Sequence, residues 1–258
     1  MHMLHTYRLL KHSMSEAAVF GQSSAANDSS SQTPSAAAAA FSPSEYSAAV
    51  IHVLQSRADF VRGSAVLEIG TGSGVVLAAL GKLGAASLCG TDVEMDSVAA
   101  TLSLLTAMDL GGISEVHQGD MWLPVAGRRF NLIVANLPQF PLEEPVAVLG
   151  RRATWSFGGD TGRMLLDRFI EGLDAFLLPG GHAVITHNSF IELELTRQML
   201  QQRGLTMTVA YTFLAAVSRE KFSLLPRAVV AAHLDRNLHR FGPHIFANVY
   251  VLDIARVE

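Results

Sequence analysis

The sequence predicts an α/β protein: a doubly wound, mostly parallel sheet of seven strands between helices, with an antiparallel strand at its C-terminal edge. Three observations predict it. From Ser64 onward short apolar runs alternate with longer helical stretches, the signature of βαβ units. Apolar residues make up 49% of the 258 and charged residues only 16%, which suits strands buried on both faces. A glycine-rich turn follows the first apolar run, at the sheet edge where such folds hold ligands.

The elements follow in order. Residues 1–40 form an extension whose part from Gly21 to Ala40 is nearly all Ser, Ala, Gln, Asn and Thr, too small and polar for a core, so it reads as a flexible linker. The domain is expected over 41–258. It opens with a helix at 44–58, where Val50, Ile51, Val53 and Leu54 follow Ser44-Glu45 in the pattern of a capped amphipathic segment. Strands are expected at 65–69, 87–92, 113–118, 130–135 and 182–187, with helices at 74–82, 96–109 and 162–177 between them. Leu178-Pro179-Gly180-Gly181 stops the last of these helices. After a helix near 190–203, Leu205–Val217 and Ile245–Arg256 read as two strands pairing at the antiparallel edge. The stretch between them, 218–243, is long for a hairpin connection and so carries a helix of its own, either as a cover over the active site or as a surface insertion.

Composition removes several classes. The formal charge of −4 offers phosphate backbones no global attraction, so the sequence does not support a nucleic-acid partner unless a local patch such as Arg128-Arg129, Arg151-Arg152 or Arg227 to Arg240 supplies it. Each of those also reads as an ordinary solvated face. The single cysteine, Cys89, lies in a strand and reads as a core residue in a reducing, cytoplasmic setting. No apolar run is long enough to span a membrane. The first twelve residues are basic and His-rich, but Glu16 and the scarcity of arginine speak against a targeting segment.

The chemistry gathers at the ends of the predicted strands. In Glu68-Ile69-Gly70-Thr71-Gly72-Ser73-Gly74 the glycines let the backbone approach a ligand, and the following helix points its free N–H groups at it. A dinucleotide fingerprint would need a third glycine at position 75, where the chain has Val75. That disfavours a nicotinamide oxidoreductase. Glu68 would repel a pyrophosphate but suits a ligand bearing an amino group and a sulfonium, the charge pattern of S-adenosylmethionine. Glu68, Gly70, Thr71, Gly72 and Gly74 are therefore cofactor candidates, joined by Asp92 and Val93 at the end of the second strand, where a carboxylate can accept from both ribose hydroxyls. A helix cap is the other reading of Asp92. After the third strand, Asp120 could accept from an adenine amino group while Met121 or Trp122 covers a ring face.

These segments, with Asn131 to Asn136, resemble in order and spacing the class I S-adenosylmethionine-dependent methyltransferases, Rossmann-like enzymes, and more narrowly their HemK-type group of glutamine and other N-methyltransferases. Phe41-Ser42-Pro43-Ser44-Glu45 is similar to that group's substrate-side segment, and Phe157-Gly158-Gly159-Asp160-Thr161-Gly162 to its glycine turn. The group's Asn-Pro-Pro-Tyr signature corresponds here to Asn136-Leu137-Pro138-Gln139, followed by Phe140. The resemblance implies that Asn136 and Pro138 form the catalytic loop, Asn136 also bordering the cofactor. The Asn136 carbonyl and the Leu137 backbone carbonyl would accept N–H bonds from the acceptor and support the charge developing on nitrogen. Gln139 cannot stack as tyrosine does, and Phe140 stands one place later; with Leu137 and His187, at the end of the fifth strand, they complete the expected acceptor-side set.

Methyl transfer to a nitrogen of a protein or small molecule is therefore expected. The altered loop leaves open a nucleic-acid base, a small-molecule sulfur or oxygen, and a scaffold subunit that keeps the cofactor site without catalysis. No metal site is expected, since no histidines pair at ligand spacing around a carboxylate, and Ser73 and Ser189 lack the partners of a hydrolase nucleophile.

Overall fold

The computed structural model describes residues 43–142 and 156–256. The expected extension at 1–40, Phe41-Ser42 and Arg151-Arg152 lie outside the described residues. The chain runs α1 (Glu45–Ser56), α2 (Ala58–Val61), β1 (Ala65–Ile69), α3 (Val75–Lys82), β2 (Ser87–Asp92), α4 (Met95–Ala107), β3 (Ser114–Gln118), β4 (Phe130–Ala135), α5 (Met164–Phe176), β5 (Leu177–Asn188), α6 (Leu193–Gln201), β6 (Leu205–Val217), α7 (Arg219–Ser223), α8 (Arg227–His233), β7 (Leu238–Phe241) and β8 (His244–Arg256).

The strands form one sheet in the order β3-β2-β1-β4-β5-β8-β6, with β7 paired on β8. β1 to β5 run parallel to one another, whereas β8 runs antiparallel to both β5 and β6. The antiparallel C-terminal strand thus enters the sheet between β5 and β6, and β6 forms the border. The eighth strand, β7, was not expected: residues 218–243 hold two short helices and then turn back through Gly242 to pair on β8.

Each central strand serves two cores because successive side chains point to opposite faces. Val66 of β1, Leu132 and Val134 of β4 and Val184 of β5 pack under α1 and α3. Leu67, Ile69, Ile133, Ala135, Ala183 and Ile185 pack on the other face against Leu166, Phe169, Ile170 and Leu173 of α5. That α5 spacing of three and four residues keeps one stripe of the helix inward. Glu68 therefore occupies a slot on the α3 side where the alternation calls for an apolar residue.

Local chemistry sets several boundaries. α5 ends at Phe176, and Leu178 to Gly181 forms an excursion within β5: Leu177 pairs with Phe130, and pairing resumes at His182 with Leu132. Ser44 stands at the α1 N-terminus but makes no side-chain cap, contrary to the capping pattern; its backbone carbonyl accepts the Ala48 N–H instead. α1 lies along the far strands through ring contacts of Tyr46 with Phe213 and His52 with Tyr211.

Candidate active site

A cavity of about 310 Å³ opens at the carboxyl ends of β1, β2 and β4. Its floor is the glycine loop. Gly70, Gly72 and Gly74 all have positive φ (75°, 51° and 75°), a conformation that side chains with a Cβ resist. Gly74 is also pressed on Thr101, whose backbone would lie 2.9 Å from any added Cβ. It shapes the start of α3 without lining the cavity, while Thr71 lines it and receives the Thr101 hydroxyl at 3.1 Å.

Asp92 ties this floor to the next wall. One carboxylate oxygen accepts the Gly72 N–H and the other the Glu94 N–H, both at 2.9 Å. Asp92 thus lines the cavity and also fixes the backbone entering α4. Burial raises its pKa, with its backbone hydrogen bonds acting the other way. Glu68 is more extreme. It is 3% exposed, and its Oε2 has no hydrogen-bond partner among the described residues. Burial drives its pKa well above the usual carboxylate range; the Leu77 backbone N–H opposes this and the neighbouring Asp92 charge adds to it.

Val93, Asp120 and Met121 line the cavity, and Asp120 Oδ2 accepts from the Arg168 guanidinium at 2.6 Å. Trp122 does not cover a ring face here. It stacks on Phe169 and Phe176 in the core, and only Met121, held at a φ of 50°, reaches the cavity. Sequence reasoning missed Ser47 of α1, Glu94 and Ser97 at the start of α4, and Leu165 of α5, all of which line it. Only the packing of α1 and α5 over the strand ends brings Ser47 and Leu165 there.

Asn136, Leu137 and Pro138 also line the cavity. Asn136 Oδ1 accepts the Thr186 hydroxyl at 2.8 Å, which fixes the amide orientation and leaves one of the two carbonyl lone pairs for another donor. Three expected acceptor-side residues are corrected by the structure. Gln139 is 3% exposed and spans β5, its Nε2 donating to the Thr186 carbonyl at 2.7 Å and its Oε1 accepting the Asn188 N–H at 2.8 Å. Phe140 packs edge-on against Phe190 beneath the Lys221 ammonium. His187 is fully buried, with Nδ1 on the Asn188 carbonyl and Nε2 on the Thr196 hydroxyl. Strand alternation turns it from the cavity.

The glycine turn 157–162 braces this loop from behind. The Phe140 N–H donates to the Ser156 carbonyl, and the Gly158 N–H to the Phe140 carbonyl, both at 2.9 Å. Outside the cavity, Cys89, Glu115 and His117 bring potential metal-ligand atoms within 4.8 Å of one another across β2 and β3. Arg128 already places a cation there, on Glu115 at 2.5 Å and near the Cys89 sulfur at 3.6 Å.

The lining suits a particular ligand charge. Four carboxylates, Glu68, Asp92, Glu94 and Asp120, border the cavity, and among the described residues no Lys, Arg or His does. A pyrophosphate would meet repulsion, whereas a sulfonium with an ammonium group would meet opposite charge and an unpartnered carboxylate oxygen. The residues present therefore fit S-adenosylmethionine.

Comparison with known proteins agrees. Residues 48–149 match the family ribosomal protein L11 methyltransferase (PrmA). A chain of Methanocaldococcus jannaschii provisionally named a protein N5-glutamine methyltransferase is 29% identical over 58% of this chain and 75% of its own length. The release factor glutamine methyltransferase of Moorella thermoacetica is 30% identical over 59% of this chain; the chain spans about half of that relative, 53%. Among solved structures, the T. thermophilus 16S rRNA N2 G1207 methyltransferase, in complex with AdoMet and guanosine, superposes with a TM-score of 0.54 at 19% identity, covering 84% of this chain and 44% of that one. The last likeness speaks for the fold. With the sheet order and the glycine loop, these matches identify a methyltransferase domain of the PrmA type over residues 48–149, similar to the protein N5-glutamine and release factor glutamine methyltransferases.

Proposed function

We propose that the chain methylates a nitrogen of a protein side chain, with Glu68, the 70–74 loop, Asp92, Val93, Asp120 and Met121 holding S-adenosylmethionine and Asn136 to Pro138 presenting the acceptor. The carrying observation is that an acidic cavity, with no basic side chain among its described lining residues, is bordered by Asn136, whose amide carbonyl is held in place by Thr186. The cofactor supplies a methyl group already activated on a sulfonium, so the protein's task is placement. Asp92 orders the floor by holding Gly72 and Glu94. Asn136 Oδ1 offers its remaining lone pair to an acceptor N–H, and the Leu137 backbone carbonyl offers a second. Two acceptors aligned on one nitrogen orient its lone pair and stabilise the positive charge it gains.

Several observations favour a protein acceptor. The names of the relatives attach to glutamine and L11 methylation. The net charge of −4 and the acidic cavity disfavour a polyanion. Of the basic segments, Arg128 is paired with Glu115 and Arg240 lies over the Phe222 ring. Among the described residues no helix is long and apolar enough to cross a membrane. A reducing cytoplasm suits Cys89, which is buried with its thiol pKa pushed up to about 11, chiefly by desolvation.

The test is transfer of a radiolabelled methyl group from S-adenosylmethionine to purified ribosomal protein L11, a translation release factor and ribosomal RNA in parallel. The expected result is label in a protein, cut at least about 100-fold by Asn136→Ala. Label confined to RNA would overturn the protein acceptor. Cofactor binding with no label in any acceptor would favour the scaffold.

A further inference from the structure

Glu68 breaks the alternation of β1: a carboxyl group stands where the strand otherwise buries apolar side chains, beneath the start of α3. Its Oε2 is buried with no partner among the described residues, and the Leu77 backbone N–H supports its charge. A full negative charge so placed is costly, so such a group takes a proton unless a cation arrives. Among the described residues no cation faces it. β2 contributes Asp92; the start of α4 contributes Glu94 and the uncharged Ser97; the segment after β3 contributes Asp120, which holds Arg168; the loop after β4 contributes Asn136 and α1 contributes Ser47. Lys82, the basic residue of α3, lies at its other end and donates to the Met108 carbonyl.

We infer that Glu68 carries a proton in the ligand-free protein and releases it to solvent when S-adenosylmethionine enters, so that cofactor binding is proton-coupled at this one residue. This rests on the cofactor reading and goes beyond it. Charge balances in the step: the carboxyl O–H bond breaks, the electron pair stays on Glu68, the proton goes to buffer, and the ligand's positive charge replaces it beside the carboxylate. Asp92 is the competing source, because burial raises its pKa as well. Geometry separates the two. Both Asp92 oxygens accept backbone N–H groups that support its anion, whereas Glu68 leaves Oε2 bare.

The sign is fixed by linkage. The ligated form binds fewer protons, so affinity falls as pH falls below the Glu68 pKa of the free protein, by up to roughly tenfold per pH unit. The experiment is calorimetric titration of the full chain with S-adenosylmethionine at one pH near neutrality in two buffers of different ionisation enthalpy, for wild type, Glu68→Gln and Asp92→Asn. The difference in apparent heat between buffers counts protons released. Release of up to one proton by wild type, kept by Asp92→Asn and abolished in Glu68→Gln, is expected. Release that persists in Glu68→Gln assigns the proton elsewhere and overturns the inference, as does wild-type binding whose heat is the same in both buffers. The wild-type measurement decides even if the variant does not fold. Absence of any binding heat would instead remove the cofactor reading beneath it.

Discussion

Gln139 has both ends of its side-chain amide committed to β5, and this explains how a loop that departs from the Asn-Pro-Pro-Tyr pattern can hold its shape. The Thr186 carbonyl it caps belongs to the residue whose hydroxyl holds Asn136, so the two contacts fix one unit. A tyrosine there would have packed a ring; a glutamine bonds a strand end. Gln139→Leu keeps the approximate volume and strands two buried backbone groups. It should destabilise the protein by about 2–5 kcal/mol, read as a lower urea midpoint at unchanged slope. Gln139 looked like an acceptor-side residue from sequence because only motif position was visible. Its burial comes from the 157–162 turn and β5, both distant in the chain.

Among the elements, the glycines of 158–162 and of the β5 excursion look alike in sequence and do different work. Gly162 has a φ of 76°, and an added Cβ would lie 2.6 Å from the Gln139 carbonyl oxygen and 2.8 Å from an Ile191 methyl. Gly180 has a similar φ of 69° with nothing within 4 Å. Gly180→Ala should therefore cost only the left-handed penalty of about 1–2 kcal/mol. Gly162→Ala adds overpacking against the acceptor loop, for about 2–5 kcal/mol in total. Paired unfolding curves of the two variants measure the difference. The strands at 65–69, 87–92 and 130–135 were legible to the residue because buried parallel strands write themselves as short apolar runs between turn residues. The strand at 238–241 was not, since Leu238-His239-Arg240-Phe241 has no such run and exists by pairing on β8. The cavity floor, Glu68 to Asp92, was likewise legible because loop and carboxylate lie close in sequence. Ser47 and Leu165 were hidden, since no local pattern reports a contact made by helix packing.

For the whole molecule, two buried ionisable groups set opposing pH dependences. His187 is held neutral, its pKa lowered from the ordinary 6.5 to about 3 by burial first and the nearby Arg163 charge second. Between those values the unfolded chain binds a proton that the native state refuses, so stability falls as pH drops through this window. Glu68 acts the other way: the native state keeps a proton that the unfolded chain has lost, so its cost is felt as pH rises. Unfolding free energies of wild type and His187→Gln, measured by urea between about pH 4 and pH 7, should converge toward the acid end, because the variant lacks the titrating ring. Parallel curves would mean that His187 does not govern acid sensitivity.

The position of β8 bears on synthesis as well as shape. Among the described residues, every one that lines the cavity lies between Ser47 and Leu165, whereas β8, at His244–Arg256, fills the gap between β5 and β6. A ribosome therefore delivers these lining residues well before the segment that closes the sheet. Until that segment emerges, β5 has one bare edge and β6 has no strand to pair with, and bare edges recruit whatever extended chain is near. The vulnerable step in making this protein is thus the late seating of one strand between two waiting ones.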